Sequence, residues 1–163
     1  MRAPLSSFVW PAAPFVRQGW TANRIALAYL ACLIPPTLAV FLERGAGLVP
    51  VLAVSVITVV LWQLVFSYFR HRRMGLDGLV SGLVFALLIG PSVPLWQVAL
   101  AISFGAVLAE QVFGGRGFNF LNPVVAALAF LAFSFPSVSF GAAVPWLSAS
   151  AVPAAVFLIW SRL

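Results

Sequence analysis

The hydrophobic pattern of the chain consists of long apolar runs separated by short polar breaks. A helix that crosses a bilayer upright needs about 20 predominantly apolar residues. The third and fifth runs are shorter, which predicts helices that are tilted, partial or buried behind others. The pattern predicts an all-α membrane protein with about five to six transmembrane helices. The runs cover residues 25–42, 46–69, 74–90, 95–113, 121–136 and 144–161.

The first 24 residues differ from the rest. They are interrupted by prolines and carry four aromatic side chains, and amphipathic aromatic residues settle at the depth of the lipid headgroups. We therefore predict two parts, an interfacial N-terminal segment (1–24) and a single transmembrane helical domain (25–163). The aromatic residues are Phe8, Trp10, Phe15 and Trp20.

Composition and charge support a membrane location. The chain is 63% hydrophobic and 7% charged, whereas soluble domains carry roughly 25% charged residues. Its net charge of +6 comes from nine arginines that flank the apolar runs, so no nucleic-acid partner is expected. Only Arg44 falls on the opposite side if all six runs cross. The positive-inside rule then predicts that both termini are cytoplasmic. The location that we expect is the inner (cytoplasmic) membrane of a bacterium.

Catalytic side chains are scarce. The chain has three carboxylates, one histidine (His71) and one cysteine (Cys32). General acid–base catalysis needs titratable groups within hydrogen-bonding distance, and no spacing resembles a metal site. We therefore predict no catalytic residues, no metal and no enzyme activity of the chain by itself. The carboxylates are Glu43, Asp77 and Glu110.

Two of these acids have alternative interpretations. Asp77 is either a helix cap, favoured by the helix dipole, or an ion site at a helix end. Glu110 either reaches the membrane interface, pairs with Arg116, or makes a buried ion or partner contact. Gly78 and Gly82 have the spacing of small residues that allows close contact between helices.

The loop "VFGGRGFNFLNP" at 112–123 is unusually polar for its surroundings. Its glycines allow positive φ angles and close backbone approach, and their free N–H groups are compatible with an anion site or with a tight interhelical turn. Asn122 followed by Pro123 predicts a helix start. The loop lacks the GK[ST] of a nucleotide P-loop.

Several motifs together resemble one family of membrane proteins. They are Asp77-Gly78, "PSVPLW" at 91–96, "FG" at 104–105, "VFGGRGFNFLNP", and "FP" at 135–136. This set resembles the NqrB/RnfD family, which contains the membrane B subunit of the Na⁺-translocating NADH:quinone reductase and the D subunit of the Rnf complex. Upstream, "PFVRQGWTANRI" at 14–25 and "LIPP" at 33–36 also resemble that family's entry to its first helix, so the resemblance runs from about residue 14 to 136.

The resemblance implies a fold of two related halves of about five helices each, and this chain resembles the first half only. It also implies a flavin joined to a threonine of an S/T-G-A-T-type motif beyond the "FP" helix. The corresponding stretch here is "SVSFGAAVPWLSASAVP", and the last threonine of the sequence is Thr58. The covalent attachment residue is thus missing from it, and Ser148 and Ser150 lack the motif.

In that family, residues of the acidic-glycine motif and of the glycine-rich loop help to shape the surroundings of the cofactor and of other subunits. The resemblance implies the same role for the matching residues of this chain. Asp77, Gly78 and Pro123 belong to these surroundings, and Asp77 is the residue expected to act as an ion site or a helix cap. The expected cofactor-binding residues are Gly114, Gly115, Gly117, Asn119 and Asn122.

Three functions remain open at this point. The first is a small integral membrane subunit of an Nqr/Rnf-like electron-transport complex, which anchors redox partners and is compatible with a non-covalent flavin or quinone. The second is a non-catalytic structural or assembly subunit of a larger electron-transport or photosynthetic complex. The third is a parallel oligomeric ion or solute channel. The expected partners are other membrane subunits and the lipid bilayer.

Overall fold

The computed structural model of the chain describes residues 22–71, 75–113, 119, 121–138 and 145–160. Across these ranges the elements are helical and no β-strand is present, which confirms the prediction of an all-α protein. Most of the predicted interfacial segment, residues 1–21, lies outside them, so the division at residue 24 stays a prediction.

Each predicted apolar run forms a helix with bounds close to those expected. A 3₁₀ turn at Gly45–Gly47 joins the first two helices, and a π-helical segment at Gly105–Gln111 continues the fourth. The six helices are α1 (Ala22–Arg44), α2 (Leu48–Arg70), α3 (Asp77–Leu88), α4 (Leu95–Phe104), α5 (Pro123–Ser134) and α6 (Pro145–Trp160).

The chain folds back on itself between α1 and α2. Gly45 has a φ of 62°, a left-handed conformation that glycine adopts without steric cost. Leu33 of α1 and Leu52 of α2 pack against the same small core cluster, which includes Leu87. In a straight helix these two leucines would lie about 28 Å apart, so the two helices form a hairpin.

The stretch 23–70 is the one part of the described chain that is both long and apolar enough to cross a membrane. Because it folds back at Gly45, it consists of two helices of 23 residues each. Each is about 34 Å long, which matches a hydrocarbon core of about 30 Å. The apolar helices at 77–88, 95–111 and 123–134 are shorter, and six crossings stay a prediction.

Glycines set the contact between α2 and α3. A Cβ atom at Gly82 would lie 3.1 Å from the Cα atom of Val56, and one at Gly78 would overlap the side-chain amide of Gln63. The Ser55 hydroxyl donates to the Gly82 carbonyl oxygen at 3.1 Å. The prediction that Gly78 and Gly82 allow close helix contact is therefore confirmed.

The main core lies where α2, α3, α4 and α5 meet, and α6 packs against α1. Outside this core the helices expose large apolar side chains: Leu42 is 83% exposed and Phe133 is 88% exposed. Contiguous exposed apolar surface marks an interaction with lipid or with protein. The core includes Phe85, Val98, Ala101, Ile102, Ala127 and Leu131.

Candidate functional site

The π-helical segment that follows α4 lies directly against the start of α5. Gly105, its first residue, is buried, and a Cβ atom there would overlap the Pro123 carbonyl oxygen and lie 2.8 Å from the Ala127 Cβ. Only glycine permits this approach. Single π-helical turns occur frequently at functional sites, so the surroundings of this segment are a candidate site.

The start of α5 forms as the sequence predicts. Asn122 is the N-cap residue with an extended backbone, and Pro123 occupies the first helical position. The Asn122 Oδ1 atom accepts a hydrogen bond from the Val124 N–H at 2.9 Å. This bond satisfies a backbone donor that the helix itself cannot pair. It also fixes the Asn122 side chain at the N-terminal end of α5.

A cavity of about 120 Å³ lies between α3, the π-helical segment and the start of α5. Half of its lining side chains are apolar, and the others carry oxygen atoms that can accept hydrogen bonds. The polar lining residues are Ser81, Glu110, Asn119 and Asn122, and the apolar ones are Val80, Val84, Pro123 and Val124.

Glu110 is the charged residue of this lining, and it is only 4% exposed. Such burial contradicts the interpretation that Glu110 simply reaches the membrane interface, which was wrong. It follows from the helical spacing, because Glu110 continues the buried stripe formed by Ile102 and Ala106. Its proposed partner Arg116 lies outside the described residues.

The structure brings some of the predicted site residues together. Asn119 and Asn122 both line the cavity, whereas Asp77 lies in the first turn of α3 after the cap position Leu76 and does not line it. Gly114, Gly115 and Gly117 lie outside the part of the chain that the structure describes. The cofactor-binding role of the loop and the ion or cap role of Asp77 thus stay predictions.

Sequence reasoning missed that Ser81 and Glu110 share one cavity. The signal for Glu110 was present, because it lies four residues after Ala106 and eight after Ile102 on the core-facing side of the helix. Ser81 had no comparable signal, since its place in the cavity depends on how α3 and α5 pack. Over the residues described, no cluster of His, Cys, Asp and Glu could hold a metal ion.

The cavity is too small for a whole flavin or quinone. Sites for cofactors and drug-sized ligands usually enclose about 300–1,000 Å³, whereas this one has about 120 Å³. Its lining suits a small polar group or ion with some water. This cavity by itself therefore does not enclose a whole flavin or quinone.

Comparison with known proteins gives a consistent family. The model of the NQR2, RnfD, RnfE family matches residues 9–158. Three similar proteins are each named as the B subunit of a Na(+)-translocating NADH-quinone reductase. The protein of Ectopseudomonas mendocina is 44% identical over 104 residues, which is 64% of this chain and 26% of that protein.

The other two show the same relation. The protein of Pseudomonas aeruginosa is 43% identical over 134 residues, which is 81% of this chain and 32% of that protein. The protein of Pseudoalteromonas atlantica is 40% identical over 121 residues, which is 74% of this chain and 30% of that protein. In these matches the chain spans only 26% to 32% of the length of its curated relatives.

Proposed function

This chain belongs to the NQR2, RnfD, RnfE family, and on that premise we propose that it is a small integral membrane subunit of an Nqr- or Rnf-like electron-transport complex in a bacterial membrane. Membership of the family, already indicated by the loop at 112–123, is the observation that carries the proposal. The partners would be other membrane subunits of that complex.

The outer surface supports a subunit that lies in lipid and contacts other chains. Large apolar side chains face outward on α1, α2 and α5, among them Leu38, Leu61 and Val125. Such a surface fits lipid or the apolar faces of neighbouring subunits. Glycines let the helices of the interior pack closely against one another. A closely packed chain of this kind can hold redox partners in fixed positions.

A flavin or quinone, in this proposal, is held non-covalently where the loop with Gly114, Gly115 and Gly117 faces another subunit. Two observations support a cofactor site that this chain shares with another subunit. The cavity inside this chain is smaller than such a cofactor, and its few polar groups supply no redox chemistry, which a cofactor must contribute.

The same cavity volume favours a second candidate, a non-catalytic structural or assembly subunit. Within the 163 residues, no threonine follows Thr58, so this sequence offers no threonine beyond α5 for the covalent flavin that the resemblance implies. The two candidates differ in one observable: the first predicts a cofactor in the assembled complex at the surface of this chain, and the second predicts none.

Affinity purification tests both candidates. The tagged chain is extracted from its own bacterial membrane in a mild detergent, co-purifying chains are identified, and the absorbance spectrum is recorded. We expect redox subunits in fixed stoichiometry together with flavin absorbance that denaturation releases. Redox subunits without flavin or quinone would favour the assembly role. Purification of the chain without redox partners would refute both.

A pair of variants localises the contact. Gly115→Leu adds bulk to the predicted partner-facing loop and is expected to lose the partners or the flavin. Gly45→Asn is the matched control, since Cβ space at Gly45 is open and asparagine tolerates its positive φ. Equal recovery of partners and flavin with both variants would exclude the loop as the contact.

A further inference from the structure

The two ends of the α1–α2 hairpin differ in the charge that they expose. At the end where α2 finishes, the exposed titratable side chains among the described residues are Arg24, Arg70 and His71. At the other end Glu43 is exposed, whereas Arg44 is half-buried and donates to two carbonyl oxygens at the end of α3. The first end therefore presents positive charge to its surroundings, and the second does not.

The described carboxylates near the end of α2 do not cancel this positive charge at the surface. Glu110 is only 4% exposed, and Asp77 is half-buried at the start of α3. The next residue, Gly78, lies so close to Gln63 that a Cβ atom there would overlap the Gln63 side chain. Gln63 lies seven residues before Arg70, which is about 10 Å along a helix. Asp77 therefore lies well below the end of α2.

Contacts within the bundle hold the Arg70 guanidinium in position. Its Nη2 atom donates to the Val112 carbonyl oxygen at 3.3 Å, and its Cζ atom lies 5.6 Å from the centroid of the Phe66 ring. A cation at that distance is attracted to an aromatic face. A guanidinium has five N–H donors in a planar fork that suits a phosphate, so the bond to Val112 leaves others for an anion.

An exposed aromatic pair indicates the depth of this end in a bilayer. Tyr68 and Phe69 are 78% and 75% exposed, and their rings meet edge to face with centroids 5.8 Å apart. Tyrosine is enriched at the depth of the lipid headgroups. The 23 residues of α2 span about 34 Å, against a hydrocarbon core of about 30 Å, so the last residue of α2 reaches the headgroups.

We propose that the end of α2 binds the headgroup of an anionic phospholipid, with the Arg70 guanidinium on its phosphate oxygens. Charge decides the class of lipid, because each Lys or Arg near a membrane surface favours anionic lipid. A zwitterionic headgroup carries a cationic group of its own, which the positive charge here repels. Because Arg70 also binds the carbonyl of Val112, the first residue of the loop at 112–123, this lipid lies beside that loop.

Lipid binding to the purified full-length chain in mild detergent tests this site. The chain is delipidated, phosphatidylglycerol or phosphatidylcholine is titrated in, and bound lipid is counted by native mass spectrometry. We expect saturable binding of phosphatidylglycerol, with an affinity at least about fivefold higher than that of phosphatidylcholine. High salt screens exposed charges, so it should reduce this preference.

A set of variants locates the binding. Arg70→Gln removes the charge and keeps a polar side chain, and it should lower the affinity for phosphatidylglycerol by about fivefold. Arg70→Lys keeps the charge and should retain most of the binding. Arg44→Gln is the matched control, because it removes one positive charge from the opposite end, and its affinity for lipid should equal that of the wild type. Should Arg70→Gln fail to fold, the lipid preference of the wild type and its salt dependence carry the test.

Three results would overturn the lipid site. They are equal binding of the two lipids by the wild type, a preference that high salt does not weaken, and the same affinity in Arg70→Gln as in Arg44→Gln. The first is expected if an acidic segment of another protein occupies this end. The inference needs the chain to lie in a bilayer but not to belong to a redox complex. A chain that purifies without redox partners can still prefer anionic lipid, and a chain within such a complex can lack the preference.

Discussion

At the scale of single residues, one arginine closes an end of the helix bundle. The Arg44 Nη1 atom donates to the carbonyl oxygens of Ile89, at 2.6 Å, and Leu87, at 3.2 Å. These carbonyls lie at the end of α3, where a helix leaves its last acceptors unpaired. The sequence sets Arg44 apart as the one arginine on its side of the predicted topology, and the structure gives it a local role.

Replacing this arginine should destabilise the bundle. Arg44→Ala leaves the two carbonyl oxygens without their charged donor, which we expect to cost about 1.5–3 kcal/mol of unfolding free energy. The measurement is a titration with denaturing detergent from the mild-detergent state. Glu43→Ala, at the exposed neighbouring position, is the control and should change little. Equal destabilisation by both variants would contradict the role of Arg44.

At the scale of elements, glycine decides which helices approach closely. Gly82 lies against the backbone of α2, and Gly105 lies against the backbone of α5. The rings of Trp96 and Phe135 also meet edge to face, with centroids 5.3 Å apart. These two aromatic residues belong to the "PSVPLW" and "FP" motifs, so pieces far apart in the sequence form one contact between α4 and the end of α5.

The two glycines should differ in their tolerance of a methyl group. Gly105→Ala would place Cβ on the Pro123 carbonyl oxygen, whereas Gly82→Ala meets its nearest atom at 3.1 Å. We expect the Gly105 variant to lose about 3 kcal/mol or more and the Gly82 variant about 1 kcal/mol, measured by the same titration. Leu108→Ala, at a position 45% exposed, is the control, and a reversed order would refute the packing.

The first turn of α5 depends on its cap. Asn122→Ala removes the acceptor of the Val124 N–H and should cost about 1 kcal/mol. Asn122→Ser keeps a side-chain oxygen at the N-cap and should restore most of that loss. Unfolding free energies of the two variants provide the check. Indistinguishable values for alanine and serine would show that the hydrogen bond contributes nothing.

At the scale of the whole molecule, an apolar exterior surrounds a core in which small residues let the helices pack closely. The hairpin of α1 and α2 has the length and hydropathy to cross a bilayer, and the shorter helices α3 and α5 pack beside it and beside α4. The family supplies the membrane context, and the exposed large side chains on several helices are consistent with it. A molecule built this way presents an apolar surface that suits contact with lipid or with protein.

The sequence by itself determined the helical class, the approximate bounds of the helices, the start of α5 at Asn122 and the family. It could do so because hydrophobic runs, the cap chemistry of Asn-Pro and the glycine-rich loop are local in the chain. Only the tertiary structure decided that Ser81, Glu110 and Asn119 line one cavity and that Arg44 binds the end of α3. Those contacts join residues of different elements, so their geometry depends on how closely the helices pack against one another.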